Sequence, residues 1–308
     1  MRNAIVTIFM FVAAVFVTPL SSAIGEPDAA LVAMSFNIRY GTASDGDDAW
    51  QYRRELCIEV MTSRDADIIG LQEVLAFQLD ELREALPKYA VIGVGRDDGL
   101  TKGEYAPLLI RTARFAIDQS GTLWLSDTPT EPGSTSWGNT IPRICTWARL
   151  IDQKTAEPLW VYNLHLDHQS QASRAMSIEL VASRIAARPK PAEPVVVMGD
   201  LNAGESNSVV QYAIGNVRSA SELAGVAPSP DLTDTFRAVH PDATEVGTFN
   251  GFKDKRDGAK IDHLFCSVNM SVLDAGIDRT RGPNARCPSD HEPVWAKLVV
   301  NENDDSKP

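Results

Sequence analysis

Acidic residues, asparagines and histidines recur at the ends of short apolar runs in this chain. The runs are typical of buried strands, because apolar residues fill them and glycine or polar residues bound them. A polar residue at the end of a buried strand lies at the edge of its sheet, where segments distant in the chain can meet. The pattern therefore predicts one site assembled from many segments. The residues in these positions are Asn37, Glu73, His165, Asp167, Asp200, Asn202, Asp262, His263, Asp290 and His291.

The segments between these points indicate strands and helices from Leu31 onward. Helices are predicted over 52–63, 75–86 and 171–187, because their apolar residues recur three or four positions apart. Residues 128–139 are rich in Pro, Gly, Ser and Thr and are predicted to form a surface loop. Strands outnumber helices and several follow one another directly, so we expect an α+β fold with packed sheets and helices outside. Strands are predicted over 31–38, 67–74, 90–94, 106–110, 143–151, 159–166, 195–198, 260–267, 272–277 and 293–299.

The polar groups at the strand ends suit phosphoester hydrolysis. Carboxylate and amide oxygens are the ligands that Mg²⁺ or Mn²⁺ prefers. Such a cation can neutralise a phosphate oxygen, a carboxylate can orient or deprotonate water, and an Asp–His pair can favour a charged imidazole that stabilises five-coordinate phosphorus. The sequence has neither a G-x-S-x-G nucleophile elbow nor a G-x-x-x-x-G-K-[ST] loop, which disfavours those acyl-transfer enzymes and NTPases.

Each position alone also has an ordinary structural interpretation. Glu73 could be a carboxylate at a helix entry, and Asp200 could belong to a local turn. Asp290 could belong to a capping sequence, Asp262 could be a charge at a strand edge, and His165 could be a core histidine bonded to a carbonyl. The complete set is more specific than any member, because independent turns would not need to combine carboxylate, amide and imidazole groups in this way.

Taken in order, these segments resemble the motifs of the endonuclease/exonuclease/phosphatase superfamily, the fold shared by exonuclease III and deoxyribonuclease I. The resemblance implies a four-layer αββα sandwich, in which two packed mixed sheets are flanked by helices and the site lies at one edge of both sheets. Within the superfamily, the chain looks most like exported bacterial hydrolases that are distantly similar to the deadenylase and nocturnin branch. The segments that suggest this are 37–41, 48–50 and 142–148. The matching superfamily segments are 35–40, 69–74, 162–167, 199–202, 260–263 and 289–294.

The same resemblance implies a metal site and a phosphate clamp. Glu73 is the implied main metal ligand with Asn37 beside it, and Asp290 supports the metal or His291. The expected cofactor is Mg²⁺ or Mn²⁺. Arg143 is a candidate clamp because a guanidinium matches the geometry of a phosphate, although a structural ion pair is an equally good interpretation.

For the reacting centre, the resemblance implies five catalytic residues. Asp200 would align or activate the attacking water, and Asn202 would hold that water or the scissile phosphate. His291 would bind a phosphate oxygen, with Asp262 as its carboxylate partner. His165 would contact the phosphate.

Two further histidines are not assigned to the chemistry. His263 lies directly after Asp262 and has no implied role. His240, beside Pro241, is expected to be an ordinary loop residue.

Residues 1–23 are predicted to be a secretory signal. Arg2 supplies the positive start, the run 4–17 is apolar apart from Thr7, and small residues precede the expected cleavage site. An uncleaved anchor helix is the alternative. The protein is therefore expected in the periplasm or outside the cell, without stable membrane insertion after cleavage. Residues 24–308 are expected to form one catalytic domain with a frayed tail over 301–308.

Export would permit disulfides, but buried free thiols are at least as consistent with the sequence. One cysteine lies on the apolar face of a predicted helix and another lies inside an apolar strand, and no C-x-x-C spacing is present. The four cysteines are Cys57, Cys145, Cys266 and Cys287.

Charge and composition limit the partners. The chain has 29 Lys and Arg against 41 Asp and Glu, a formal net charge of −12, which disfavours a protein that coats nucleic acid. The first hypothesis is a secreted metal-dependent phosphoester hydrolase acting on a small phosphorylated substrate such as a nucleotide, a sugar phosphate or a lipid head group. The alternatives are a secreted nuclease and a non-catalytic binding protein, and no protein partner is evident. The nuclease would need a basic stripe, for which the candidates are Arg39, Arg53, Arg54 and Arg143.

Overall fold

The computed structural model describes residues 29–221 and 228–301. The predicted secretory signal, residues 1–23, and the predicted frayed tail beyond Asn301 lie outside the described residues. Within those two ranges, no helix combines the length and the apolar character that crossing a membrane requires.

The described residues form twelve strands and five α-helices. The strands are β1 (Leu31–Asn37), β2 (Ile68–Gln72), β3 (Tyr89–Ile92), β4 (Leu108–Arg111), β5 (Phe115–Trp124), β6 (Ile144–Asp152), β7 (Pro158–His165), β8 (Val195–Asp200), β9 (Thr233–Asp234), β10 (Asp262–Cys266), β11 (Met270–Ile277) and β12 (Val294–Val300). The helices are α1 (Trp50–Ser63), α2 (Ala76–Ala85), α3 (Gln171–Ala186), α4 (Ser208–Ala213) and α5 (Thr235–Val239).

The strands form two six-stranded sheets that pack face to face. The first sheet has the order β11-β12-β1-β2-β4-β3, and the second has the order β5-β6-β7-β8-β10-β9. Both sheets are mixed, because β1 runs parallel to β2 and β7 runs parallel to β8 while the other pairs are antiparallel. The expected α+β sandwich of two packed mixed sheets with flanking helices is confirmed.

Alternation along the central strands divides the apolar core into layers. Ala33 of β1 and Met198 of β8 lie in the layer between the two sheets. Phe36 of β1 packs in a cluster with side chains of α1 and α2, and Val197 of β8 packs with side chains of α3. These strands are covered on both faces, which explains why they read as continuous apolar runs in the sequence.

The three helices predicted from apolar spacing are confirmed within two residues at either end. Strand β5 was not predicted, because it is an edge strand whose middle residues are exposed and polar. The short elements α4, β9 and α5 were also missed, since they contain too few residues for a period to be visible. All four cysteines are buried and free, so the alternative of free thiols is the one that the structure adopts.

A buried polar contact joins the two sheets beneath the edge where the polar residues of the strand ends meet. Asn163 of β7 accepts a hydrogen bond from Gln72 Nε2 of β2 (2.7 Å), and its own amide donates to Leu71 O (2.8 Å) and Pro107 O (2.9 Å). Gly70 makes room for this amide, because a Cβ there would lie 2.7 Å from Asn163 Oδ1. The contact therefore fixes the spacing of the sheets near their polar edge.

We expect Asn163→Leu to lower the free energy of unfolding by roughly 3 kcal/mol, because each buried group that loses its partner costs about 1–3 kcal/mol. Urea denaturation followed by circular dichroism measures the change. Met198→Leu, at the position paired with Asn163 on β8, is the matched control and should cost less than about 1.5 kcal/mol. Equal losses in the two variants would contradict the importance of the polar contact.

Candidate active site

The register of the second sheet places three predicted residues side by side. His165, the last residue of β7, pairs with Asp200, the last residue of β8. Asp262, the first residue of β10, pairs with Asp200 from the other side. The three side chains therefore form one row across neighbouring strands, although about a hundred residues separate His165 from Asp262 in the chain.

The first sheet contributes Asn37 at the end of β1 and Glu73 directly after β2. The Asn37 amide nitrogen donates to Glu73 Oε1 and to Asp200 Oδ2, both at 3.0 Å, and so connects the two sheets at their shared edge. Glu73 has a positive φ of 62°, which is uncommon for a residue with a side chain, and its other oxygen accepts the Tyr40 backbone N–H at 3.2 Å. The strained backbone aims this carboxylate into the site.

The ring of His291 is held by Asp262. His291 Nδ1 lies 2.9 Å from Asp262 Oδ2, and His291 Nε2 lies 3.8 Å from Asp200 Oδ2. Burial alone would lower the pKa of His291, but the carboxylates of Asp262 and Asp200 outweigh burial and raise this pKa well above its usual value. The imidazole is therefore protonated at neutral pH, with Nδ1–H donating to Asp262.

Asp200 lies in the middle of this row, between His165 and Asp262. Its side chain is buried and faces Asp262 across the sheet, and these two causes raise the pKa of Asp200 to about 7, against the opposing effect of His291. The backbone N–H of Asn202 donates to Asp200 Oδ1 at 2.8 Å. A carboxyl group with this pKa can take up or release a proton near neutral pH.

Arg143, at the start of the segment that forms β6, reaches the row from the side of β7. Its Nε donates to Asp167 Oδ2 (3.3 Å), Nη1 donates to His165 Nε2 (3.1 Å), and Nη2 donates to His168 Nδ1 (2.8 Å). Burial and the nearby Arg143 charge lower the pKa of His165 well below its usual value, which fits an unprotonated nitrogen that accepts from the guanidinium. Arg143 is thus both in an ion pair and at the site.

Asp290 and Asn202 complete the predicted set. Asp290 is buried, receives the Ser289 hydroxyl at 3.2 Å, and lies 3.7 Å from Arg39 Nε, while burial raises the pKa of its carboxyl group. Asn202 has a positive φ of 47°, and its amide donates to Leu166 O at 3.1 Å. Both residues line the same cleft as Asp200.

This cleft has a volume of about 540 Å³, within the usual range for small-molecule sites. It brings together seven of the nine residues assigned to the site from the sequence; Asn37 and Asp262 lie directly behind its wall, bonded to Asp200 and His291 respectively. The predicted residues on its lining are Glu73, Arg143, His165, Asp200, Asn202, Asp290 and His291.

Sequence reasoning missed several residues of the lining. Arg96 and Glu104 form a bidentate ion pair at 2.7 and 2.8 Å on the loop between β3 and β4, and burial raises the pKa of Glu104. His168 and the half-exposed Phe249 also face the cleft. Opposite charges on either side of a glycine-containing loop were a visible signal for Arg96 and Glu104, but they follow no apolar strand directly.

The basic stripe considered for a nuclease does not form, because two of its four arginines are buried. Arg53 donates to backbone carbonyls, including Ile38 O at 2.6 Å and Pro288 O at 3.1 Å, and so serves as a structural tie. Arg143 is enclosed by the contacts described above. Arg39 is exposed in part but is held in ion pairs with carboxylates.

His240 and His263 have structural contacts outside the cleft. His240 directly follows α5, and its Nε2 lies 2.8 Å from the backbone oxygen of Ala275 in β11. His263 is fully buried on the opposite face of β10 from Asp262, where its ring stacks on Phe265.

The donor set fits a hard divalent cation. Carboxylate oxygens of Glu73 and Asp200 lie within 4.8 Å of each other, and oxygen is the ligand that such a cation prefers. A cation at this point would also relieve the repulsion that raises the pKa of Asp200. The amide nitrogen of Asn37, not its oxygen, faces the two carboxylates, so ligation by Asn37 would require its amide to turn over. Ligation by Asn37, Glu73 and Asp290 stays a prediction.

The model of the Endonuclease/Exonuclease/phosphatase family matches residues 34–291 of this chain. The matched range contains every residue of the cleft described above. The chain therefore belongs to this family, whose members are phosphoester hydrolases.

Solved structures agree with this assignment. An endonuclease/exonuclease/phosphatase from Bacteroides vulgatus is 32% identical, with a TM-score of 0.78 over 88% of this chain and 99% of that one. A mannosyl-6-phosphatase from Bacteroides thetaiotaomicron is 34% identical, with a TM-score of 0.74 over 88% of this chain and 100% of that one. The human Nocturnin catalytic domain, solved with a bound sulfate, is 17% identical with a TM-score of 0.68 over 89% and 95% of the two chains, and shares the fold.

We expect Asp262→Asn to lower the pKa of His291 in the metal-free protein, because it removes the negative charge and the acceptor that most favour the protonated ring. An NMR titration of the His291 ring protons measures the shift. Asp274→Asn neutralises an exposed carboxylate on β11 and is the matched control. A His291 titration that is unchanged by Asp262→Asn, or moved to higher pH, would contradict the coupling of the pair.

Proposed function

We propose that the protein is an exported, divalent-metal-dependent phosphoester hydrolase that acts on a small phosphorylated substrate. The observation that carries the proposal is the meeting of Glu73, Asp200 and the His291–Asp262 pair in one cleft. Carboxylates suited to a metal, a carboxylate that can accept a proton from water and a protonated imidazole are the groups that water attack on phosphorus needs.

In the proposed reaction, Asp200 orients the attacking water and accepts its proton. The position of Asp200 favours this role, because its carboxylate lines the cleft 3.8 Å from His291 Nε2, and a general base must lie within hydrogen-bond reach of the water that it deprotonates. Asn202 is held against Asp200 by its backbone N–H, so its side chain can bind the same water or the scissile phosphate. His291, kept protonated by Asp262, donates from Nε2 to a phosphoryl oxygen that gains charge during the attack.

Arg143 is proposed to orient the phosphate from the opposite wall. Asp167, His165 and His168 each hold one nitrogen of its guanidinium group. Because the group is planar, these contacts also fix the direction of its other N–H groups. A fork that is already held in place loses little conformational entropy on binding a phosphate. Glu73 and Asp200, with Asp290 near them, would hold Mg²⁺ or Mn²⁺, which when bound supplies positive charge to the phosphate and to the leaving-group oxygen.

Four observations support a small substrate. The cleft volume of about 540 Å³ is that of a small-molecule site. The net charge of −12 opposes long nucleic acids, and no continuous basic stripe forms among the candidate arginines. The similar structure from Bacteroides thetaiotaomicron is described as a mannosyl-6-phosphatase, which makes sugar phosphates the first substrates to test. The Arg96–Glu104 pair in the cleft offers both a donor and an acceptor to hydroxyl groups.

We expect Mg²⁺- or Mn²⁺-dependent release of phosphate from a small phosphomonoester, abolished by a chelator. Asp200→Asn and His291→Gln should each lower kcat by about 10²–10⁴-fold, because each removes a proton-transferring or charge-stabilising group. The measurement is a steady-state phosphate assay over sugar phosphates, nucleotides, lipid head groups and phosphodiesters.

Asp274→Asn, which neutralises a surface carboxylate far from the described cleft lining, should keep the wild-type kcat. The proposal would be contradicted if the protein showed no chelator-sensitive turnover of any substrate in the panel. Salt-sensitive degradation of DNA or RNA without turnover of small substrates would favour the nuclease instead. Hydrolysis that is equal in wild type and both site variants would indicate contamination and favour a binding protein.

Export is inferred from residues 1–23 alone. Their positive start, apolar run and small residues before the expected cleavage site have the order of a secretory signal. Cells that express the chain would be fractionated to locate the protein. Mass spectrometry of its N-terminus would then show whether the signal has been removed. Full-length chain found only in the cytoplasm would contradict it.

A further inference from the structure

We propose that His263 and Lys260 are positioning residues, which hold the loop after β8 so that Asn202 stays in its reactive conformation. The inference rests on the proposed function, because it assigns a role in the same reaction to residues outside the cleft. Neither side chain lines the cleft described above, and no role was implied for His263 by the sequence.

The first step of the argument is the alternation of β10. Successive side chains of a strand point to opposite faces, so Asp262 and His263 cannot serve the same surface. Asp262 faces His291 and Asp200 at the polar edge. His263 faces the other side, where its ring lies on Phe265 with centroids 5.3 Å apart and planes inclined by 8°.

From that face, His263 reaches the backbone of the loop. His263 Nε2 lies 3.0 Å from Ala203 O, and Lys260 Nζ lies 2.8 Å from His263 Nδ1. A carbonyl oxygen can only accept and an ammonium can only donate, so Nε2 donates to Ala203 O and Lys260 donates to Nδ1. Lys260 Nζ also donates to Asp234 Oδ2 at 2.7 Å. The loop carbonyl thus ends a chain of three directed hydrogen bonds.

The loop is held at a second point by the same group of charges. Glu205 forms a bidentate ion pair with Arg237, with both distances 2.6 Å, and lies 3.8 Å from Lys260 Nζ. Asp234 also accepts the Arg237 backbone N–H at the start of α5. The contacts at positions 203 and 205 therefore anchor the loop to β9, β10 and α5.

Asn202 needs such an anchor. Its φ of 47° lies in the left-handed region, which residues with side chains adopt rarely and keep only where surrounding contacts determine the backbone. The conformation lets its backbone N–H reach Asp200 Oδ1 at 2.8 Å and lets its side chain reach Leu166 O at 3.1 Å. The Ala203 carbonyl belongs to the peptide that follows residue 203, so a displacement of this carbonyl would reach Asn202 through the backbone of Ala203.

Burial adds a second argument. The Lys260 side chain is 1% exposed and His263 is fully buried. An ammonium in this position is expensive to desolvate, and apolar residues of similar volume are often as stable as a buried ion pair. The polar group is therefore better explained by the directed bond to Ala203 than by stability alone.

The experiment compares three variants of the complete chain with wild type. His263→Phe keeps an aromatic ring but removes both hydrogen bonds, and His263→Gln restores one donor and one acceptor. Phe265→Leu is the matched control, because Phe265 is buried next to His263 on the same face of β10 and has no bond to the loop. For each protein we would measure Tm, kcat, KM, the Mg²⁺ concentration for half-maximal rate and the side-chain amide resonances of Asn202.

We expect His263→Phe to lower kcat by about 10- to 100-fold with little change in KM or in Mg²⁺ dependence, because a small misplacement of a positioned group costs rate. It should also move the Asn202 amide resonances, and His263→Gln should restore both kcat and the resonances. Phe265→Leu should lower Tm but leave kcat unchanged.

Unmoved Asn202 resonances in His263→Phe would overturn the inference, as would a kcat within twofold of wild type. Equal losses of kcat in His263→Phe and Phe265→Leu would also overturn it, because the effect would then follow stability. If wild type turned over no substrate, the proposed function would be wrong. The amide resonances would then decide alone whether His263 positions the loop.

Discussion

The structure depends on one electrostatic constraint: two buried carboxylates, Asp200 and Asp262, lie opposite each other on β8 and β10. Oxygens of the two carboxylates lie within 4.8 Å of each other, and two negative charges this close in a buried site need a cation or a hydrogen-bond donor beside them. The chain supplies the His291 imidazolium to Asp262 and the Asn37 amide to Asp200. What remains is a carboxyl group with a pKa of about 7, next to a second carboxylate on Glu73. This arrangement is poorly stable by itself and is well suited to a bound cation.

The same constraint explains why the sheet packing and the site cannot be separated. Asn37 joins Glu73 of the first sheet to Asp200 of the second, so a shift of one sheet against the other would change the spacing of the carboxylates. Below it, the contact of Gln72 with Asn163 spans the same two sheets. Because both contacts are directional, they fix the relative position of the sheets more closely than apolar packing alone would.

The sequence predicted the parts of the site better than their arrangement. The strand-end residues carried the signal as a set, since independent turns would not need to combine carboxylate, amide and imidazole groups, and this set contained Asp200 and Asp262. The pairing of their strands was not predictable, because β8 and β10 are separated by some sixty residues and the spacing carries no information on register. Arg53 was a candidate for the basic stripe of a nuclease, but it is buried and donates to backbone carbonyls. Arg96 and Glu104 were missed since they lie on a loop.

Two histidines approach the same oxygen of Asp200 and are held in opposite protonation states. His165 Nε2 lies 3.7 Å and His291 Nε2 lies 3.8 Å from Asp200 Oδ2, and both rings are buried. Burial lowers the pKa of both, so their difference must come from their neighbours: Arg143 beside His165 and Asp262 beside His291. A neutral ring can accept from a guanidinium and hold it still, whereas a charged ring can donate to a phosphate. The two rings are therefore not interchangeable, because Arg143 favours the neutral form of His165 and Asp262 favours the charged form of His291.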